Sequence, residues 1–301
     1  MFSHKQIKIK DDRIRLDKIL SSKLDLSRSQ IQRLINEGHL TLNGQTTKAK
    51  VKPKIGDIVD INNIERPPLK AEPEKIPLDI IYEDEDVIVV NKPAGMVVHP
   101  SSGHFHGTLV NGLVYHTQLA KTNSEFRPGI VHRIDKDTSG LLMVAKNELS
   151  LKSLSQQLKN KENLRQYEAL VEGIIEEDEG TINAPLGRDP KNRLKRAVIK
   201  DGKTAITHFK VKKRFSNYTL ITCQLETGRT HQIRVHFKYI GHPIVGDPLY
   251  GIASSTKIHE GQLLHAGVLG FTHPRTKESL VFKVPIPEDF KTILEKLEGI
   301  W

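Results

Sequence analysis

The chain has 301 residues, enough for two domains with separate cores. It is 37% hydrophobic with no run of about 18 apolar residues, which excludes a membrane-spanning helix, and its single cysteine, Cys223, excludes an internal disulfide. The net charge of +10 favours a polyanionic partner such as nucleic acid.

The charge is uneven. Residues 1–68 hold 14 Lys+Arg against 8 Asp+Glu, a net +6, so the basic excess concentrates at the N-terminal end. The opening residues carry no apolar signal core, and a lone thiol fits a reducing compartment, so a cytoplasmic protein is expected. Cys223 sits in an alternating apolar run and is expected to be a buried structural thiol.

The N-terminal segment predicts two helices and a strand. Leu16, Ile19 and Leu20 form one helical stripe. Ser27 is a candidate N-cap for a second helix from Arg28 to Glu37, which would bury Ile31, Leu34 and Ile35 and end at Gly38. A strand from His39 should run into an Asn43-Gly44 turn. Lys48, Lys50, Lys52 and Lys54 recur at every second position and would share one face of a strand. Together with Arg28 and Arg33 they are candidate nucleic-acid contacts, suited to a phosphate backbone.

Residues 67–77 are proline-rich and charged, with no apolar period, and predict an extended linker. The expected domains are therefore 1–66 and 78–301. The second opens with two strands flanking an acidic turn, Glu83 to Asp86, expected to be a solvated tip and not a metal site. His99, His104, His106 and His116 lack the spacing of a metal motif, so no metal is expected.

In His132-Arg-Ile-Asp-Lys-Asp-Thr-Ser-Gly-Leu141 the chain turns abruptly polar, and the run from Leu141 to Ala145 is strand-like and wholly apolar. Charge packed before a buried strand places reactive groups at the rim of a core, although a salt-bridged turn reads the same way. An amphipathic helix with an Asn147 cap, then a strand from Leu164 to Gly173 carrying Tyr167, should follow. Alone, a strand tyrosine signals core packing. The segment Ala184 to Ala197, with Arg188, is a basic loop suited to phosphate contact. Lys203 to Val211 alternates as a strand. Leu220 to Phe237 combines a strand, a turn and a helix start with Thr230 near its cap. Its Arg229, His231, Arg234 and His236 can be read as a phosphate cradle. A last helix is expected from Asp289 to Leu297.

Several of these stretches resemble known blocks. Arg15-Leu-Asp-Lys-Ile-Leu20 and Leu26-Ser-Arg-Ser, continuing to Leu-Asn-Gly44, resemble an S4 RNA-binding domain. His132 to Leu141 resembles the His-Arg-Leu-Asp-x-x-Thr-Ser-Gly-Leu block of the RluA/RluD pseudouridine synthases, with Ile134 in place of Leu. Asn91 to Pro100, Arg165 to Gly173, Ala184 to Pro190, Thr227 to Arg234 and His242 to Asp247 resemble further blocks of that family, in the same order.

The resemblance implies an α+β protein: a small S4-type domain, and a catalytic domain with a mixed, mostly antiparallel sheet. It implies isomerisation of uridines in RNA, foremost large-subunit ribosomal RNA of the RluD branch, without cofactor. Asp135 would be the catalytic carboxylate, as nucleophile or as base. Arg229 would pair with it, Tyr167 would stack on the base, and Arg133 would fill the space the base vacates. Ile233 and Val235 would form apolar walls, and a monomer is the default. A synthase acting on transfer RNA, a non-catalytic RNA-binding module, a glycoside hydrolase using Asp135 and Asp137, and a nuclease remain alternatives. The 5% aromatic content argues against the hydrolase, and the missing metal motif against the nuclease.

Overall fold

The computed structural model describes residues 4–24, 28–62, 71–101, 104–121, 127–192, 194–254, 256 and 258–299, with the side chains of Ser29, Gln30 and Arg33 outside this set. The chain divides into two units, Met1–Leu69 and Lys70–Trp301.

The first unit contains β1 (His4–Lys8), α1 (Leu16–Leu24), α2 (Arg28–Asn36), β2 (Leu40–Leu42) and β3 (Ile58–Asn62). The strands form an antiparallel sheet in the order β1-β3-β2. The predicted stripe packs as expected: Leu16, Ile19, Leu20, Ile31 and Ile35 meet Leu40, Val59 and Ile61 in one core. The Ser27 cap lies outside the described residues.

The lysine run corrects the strand expectation. After the Asn43-Gly44 turn, where φ is 52° and 75°, residues 46–57 form no regular strand. The Leu16 and Asp17 N–H groups donate to the Val51 and Ala49 carbonyls, so the segment closes over the start of α1. Lys48, Lys50, Lys52 and Lys54 are all exposed. Only Ala49 and Pro53 are buried between the lysines, while Val51 is exposed, so neither sheet pairing nor alternate burial follows the lysine period.

The second unit begins before the predicted boundary of residue 78. Ala71 is buried, the Glu74 N–H donates to the Asn111 carbonyl, and Asn111 Nδ2 donates to the Glu72 carbonyl. Residues 72 and 74 are thus hydrogen-bonded to this unit. There follow β4 (Asp79–Glu83), β5 (Val87–Lys92), α3 (Leu109–His116), β6 (Ser139–Ala145), α4 (Glu148–Asn160) and β7 (Leu164–Glu172). Next come β8 (Glu179–Asn183), β9 (Leu186–Arg188), β10 (Arg196–Val198), β11 (Ile206–Arg214) and β12 (Tyr218–Leu225). The unit ends with α5 (Gln232–Tyr239), β13 (Leu264–Thr272), β14 (Ser279–Lys283) and α6 (Glu288–Leu297).

The large sheet runs β4-β5-β6-β13-β7-β12-β11-β8, with β14 on β13, and β9 and β10 form a separate pair. All pairings are antiparallel except β6 with β13, so this is a mixed, mostly antiparallel sheet in an α+β protein. β6 is buried at every residue, as its unbroken apolar run requires of a central strand covered on both faces. Asn147 caps α4 by accepting the Ser150 N–H.

The acidic turn is not a solvated tip. Asp86 is buried and takes both a Nε and a Nη2 bond from Arg275, while His273 Nε2 lies 2.9 Å from Asp84 Oδ2. The Arg275 hydrogen bond holds the Asp86 carboxyl down at about 2. Asp84, Asp86 and His273 are the one metal-like cluster among the described residues, and Arg275 pairs with its Asp86. The β4–β5 and β13–β14 hairpins are pinned together there.

Candidate active site

The parallel pairing of β6 and β13 fixes one wall of the site. Ser139 sits opposite His265, and its Oγ lies 2.8 Å from His265 Nδ1. The polar loop before β6 is tied down at each end. His132 Nε2 accepts the Met143 N–H, the Thr138 N–H donates to the Asp135 carbonyl, and Gln262 Nε2 donates to Thr138 Oγ1. Beneath it, fully buried Lys92 donates through Nζ to the carbonyls of Lys136 and Pro93, at 2.8 and 2.6 Å. Burial lowers its pKa to about 7. These contacts hold Asp135 at the mouth of a cavity of about 420 Å³.

The opposite wall is the turn after β12 and the first turns of α5. The helix N-cap is His231, in a left-handed conformation without a side-chain cap bond, rather than Thr230. Gln232 ties the preceding turn to the helix, its Oε1 accepting the Arg229 N–H and the Thr227 hydroxyl. This turn sets two arginines apart. Arg229 is exposed and its Nε donates to the Thr204 carbonyl. Arg234 is 4% exposed and its Nη1 donates to Asp135 Oδ2 at 2.8 Å. The expected partner of Asp135 is thus corrected from Arg229 to Arg234, and Arg234 is not an exposed RNA contact. Arg229 precedes the helix and points away from it, whereas Arg234 faces inward from its first turn.

Arg234 is itself gripped by Asp247, with Nε and Nη2 bonds of 2.7 and 2.8 Å. Asp247 is buried and also accepts the Leu249 and Tyr250 N–H groups. Burial opposes the charge on Arg234, but the two carboxylates more than offset it and its pKa is raised. A guanidinium fixed by one carboxylate and presented to another is a rigid, charge-assisted clamp. Oδ2 of Asp135 is engaged, and Oδ1 faces His231 Nε2 across 3.9 Å. His231 Nδ1 lies 2.8 Å from the Tyr250 hydroxyl, which accepts the Arg196 N–H. Burial lowers the His231 pKa against the pull of Asp135. The Tyr250 ring also lies 5.2 Å from the Arg234 guanidinium.

Tyr167 is buried on the β7 face that lines the cavity, and burial raises its pKa. Arg165, two residues earlier, lines the same cavity. Ile233 also lines it, but Val235 packs with Leu186, Ala205 and Tyr250 instead. Arg133 is exposed at the rim. Arg188 is exposed on β9, paired across to Arg196. Arg28 is exposed in the first unit, and the Arg33 side chain lies outside the described residues. The histidines scatter: His106 bonds Glu74, His116 bonds Glu83, and His99 is buried. Cys223 is buried, and burial raises its pKa. Sequence reasoning did not find Asp247, Tyr250, Lys92 and Arg165. The signal for Asp247 was available, since a charged residue inside the buried run Gln232 to Phe237 demands a buried counter-charge.

A carboxylate at a cavity mouth, a fixed guanidinium, a wall tyrosine and a cationic rim suit a nucleotide ligand. The comparisons agree. The family model for RNA pseudouridylate synthase matches residues 86–239, and the S4 domain model matches residues 14–59. The chain is 55% identical over 285 residues to a Bacillus subtilis protein named uncharacterized RNA pseudouridine synthase YlyB, covering 94% of each. It is 45% identical over 298 residues to ribosomal large subunit pseudouridine synthase D of Neisseria meningitidis, covering 94% of this chain and 78% of that one. Among solved structures it is similar to human RNA pseudouridylate synthase domain containing 1, with a TM-score of 0.61 and 26% identity over 76% of this chain and 89% of that one. No helix among the described residues is long and apolar enough to cross a membrane. The chain belongs to the RNA pseudouridylate synthase family and carries an S4 domain ahead of the synthase region.

Proposed function

We propose that this protein isomerises uridines in large-subunit ribosomal RNA, with Asp135 as the reacting carboxylate. The observation that carries the reading is the clamp: Asp135 at a cavity mouth, one oxygen fixed by Arg234 and the other facing His231 across 3.9 Å. The substrate class rests on relatives from Neisseria, Xanthomonas and Zymomonas that bear the name ribosomal large subunit pseudouridine synthase D.

In this reaction the bond from uracil N1 to ribose C1′ breaks, the ring turns, and C5 bonds to C1′. No redox change or atom transfer occurs, so the residues need only stabilise charge and retain the ring. Asp135 attacks C1′ or removes a sugar proton. Arg234 orients it, and Asp247 orients Arg234. Tyr167 stacks on the extruded base, and Arg133 fills the gap left in the RNA. Extrusion costs a few kcal/mol, which stacking offsets. Arg28, Arg33, Lys48, Lys50, Lys52 and Lys54 hold RNA on the S4 unit, and Arg188 and Arg229 hold it beside the cavity. The reading is of a monomer working in the cytoplasm on ribosomal RNA.

The test is large-subunit ribosomal RNA transcribed with uridine tritiated at C5. Tritium release without strand cleavage or base loss is expected. Binding without release would leave only an RNA-binding module, and strand cleavage would mark a nuclease.

A further inference from the structure

Arg165 leaves β7 on the same face as Tyr167 and reaches into the cavity that holds Asp135. It is 7% exposed. Among the described residues its guanidinium has no ion-pair or hydrogen-bond partner, and its Nε is sealed from water and unpaired. Arg234 across the cavity has two carboxylates, so the contrast is within one site. A buried cation without a counter-charge is unfavourable on its own, and such groups cluster where a ligand completes them.

The surroundings make room for this guanidinium. An ideal Cβ on Gly228 would stand 2.7 Å from Arg165 Nη1, so the turn after β12 lies directly against it. The neighbouring walls include Leu225 and Leu264, while the exposed cations Arg133, Arg229 and Lys159 keep to the rim. RNA phosphates stay in water and suit the rim. The depth of Arg165, beside Tyr167 on an apolar-walled floor, suits the base.

We propose that Arg165 is a further catalytic residue, which donates to an imide oxygen of the target uracil and neutralises the charge on the detached ring. This rests on the pseudouridine synthase reading. When C1′–N1 breaks, its electron pair stays with uracil and spreads over N1 and the imide oxygens. The ring is then an anion held at Arg165 while it turns. Its C5 next uses a ring electron pair to bond C1′, displacing the Asp135 carboxylate bonded there or, on the base route, as Asp135 returns its proton to the sugar. One proton leaves C5 to solvent and one arrives at N1, so the cycle ends neutral. A fixed cation does most where charge develops out of water.

The test uses the full chain and large-subunit ribosomal RNA tritiated at uridine C5. Single-turnover tritium release, RNA affinity at several salt concentrations and thermal midpoint are measured for wild type, Arg165→Met and Arg165→Lys. For Arg165→Met the release rate should fall roughly 100- to 1,000-fold, with affinity within about twofold and an unchanged salt slope. Its midpoint should not drop, because methionine removes an unpaired buried charge. Arg165→Lys, which keeps a cation in the cavity, should exceed Arg165→Met by at least about tenfold. An Arg165→Met rate within about threefold of wild type overturns the proposal. So does a loss lying in affinity and salt slope, which marks a phosphate contact, or a lowered midpoint, which marks a structural arginine. Equal rates for Met and Lys overturn it too. Wild-type protein that binds this RNA but releases no tritium sinks the underlying reading itself, a different result from an active wild type with an equally active Arg165→Met.

Discussion

Two arginines five positions apart do different work. Arg234 holds Asp135 from the buried side and Arg229 is exposed, bonded to a backbone carbonyl. Replacing Arg234 with Lys removes the fork that joins two carboxylates. The single-turnover rate should fall roughly 100-fold, about 3 kcal/mol, at saturating RNA. Arg229→Ala should leave that rate within about threefold and weaken RNA binding instead; the reverse pattern would restore Arg229 as the partner. The sequence block Thr227 to Arg234 marked the right neighbourhood, but it could not say which guanidinium turns inward. That depends on the left-handed His231, where φ is 59°, and on Asp247, which arrives from 13 residues later. Lys92 adds a pH signature. Its burial lowers its pKa from 10.5 to about 7, so the unfolded chain binds the extra proton between those values. Stability from this residue must therefore rise with pH across that window, and below it the full penalty for the buried charge remains. In urea unfolding, Lys92→Met should remove that rise; an identical slope in both proteins would contradict it.

Element by element, the chain was most legible where one periodicity ruled. The apolar run of β6, the capped α4 and the stripes of α1 and α2 formed as read. Legibility failed where partners lie far along the chain. The acidic turn looked solvated because His273 and Arg275 stand almost 190 residues away. The lysine run looked like a strand because its charges recur at every second position, yet the segment closes over the start of α1 and pairs with no strand. β1 went unread, being short and half charged, and its pairing with β3 is what orders it. The parallel seam of β6 and β13 gives the sharpest prediction at this scale. Gly140 has φ 112°, and a Cβ there would lie 2.3 Å from the Ala266 carbonyl oxygen. Gly140→Ala should therefore destabilise the protein by about 3 kcal/mol or more by denaturant unfolding, with both steric overlap and backbone strain contributing. A loss below about 1 kcal/mol would mean the seam can open without penalty.

For the whole molecule, the two units divide the labour between holding RNA and changing it. The four exposed lysines at 48–54 lie in the first unit and the cavity in the second. Changing Lys48, Lys50, Lys52 and Lys54 together to Gln should weaken affinity for ribosomal RNA by roughly tenfold or more and flatten its salt dependence. The rate at saturating RNA should not change. A lower saturated rate with unchanged affinity would place these lysines in the chemistry. The central claim concerns the second unit, and one substitution tests it most directly. Asp135→Asn keeps the size of the side chain and an oxygen for Arg234 while removing the anion. Single-turnover tritium release from C5-tritiated ribosomal RNA should disappear while RNA binding persists. Release at the wild-type rate from the folded, RNA-bound variant would contradict the account.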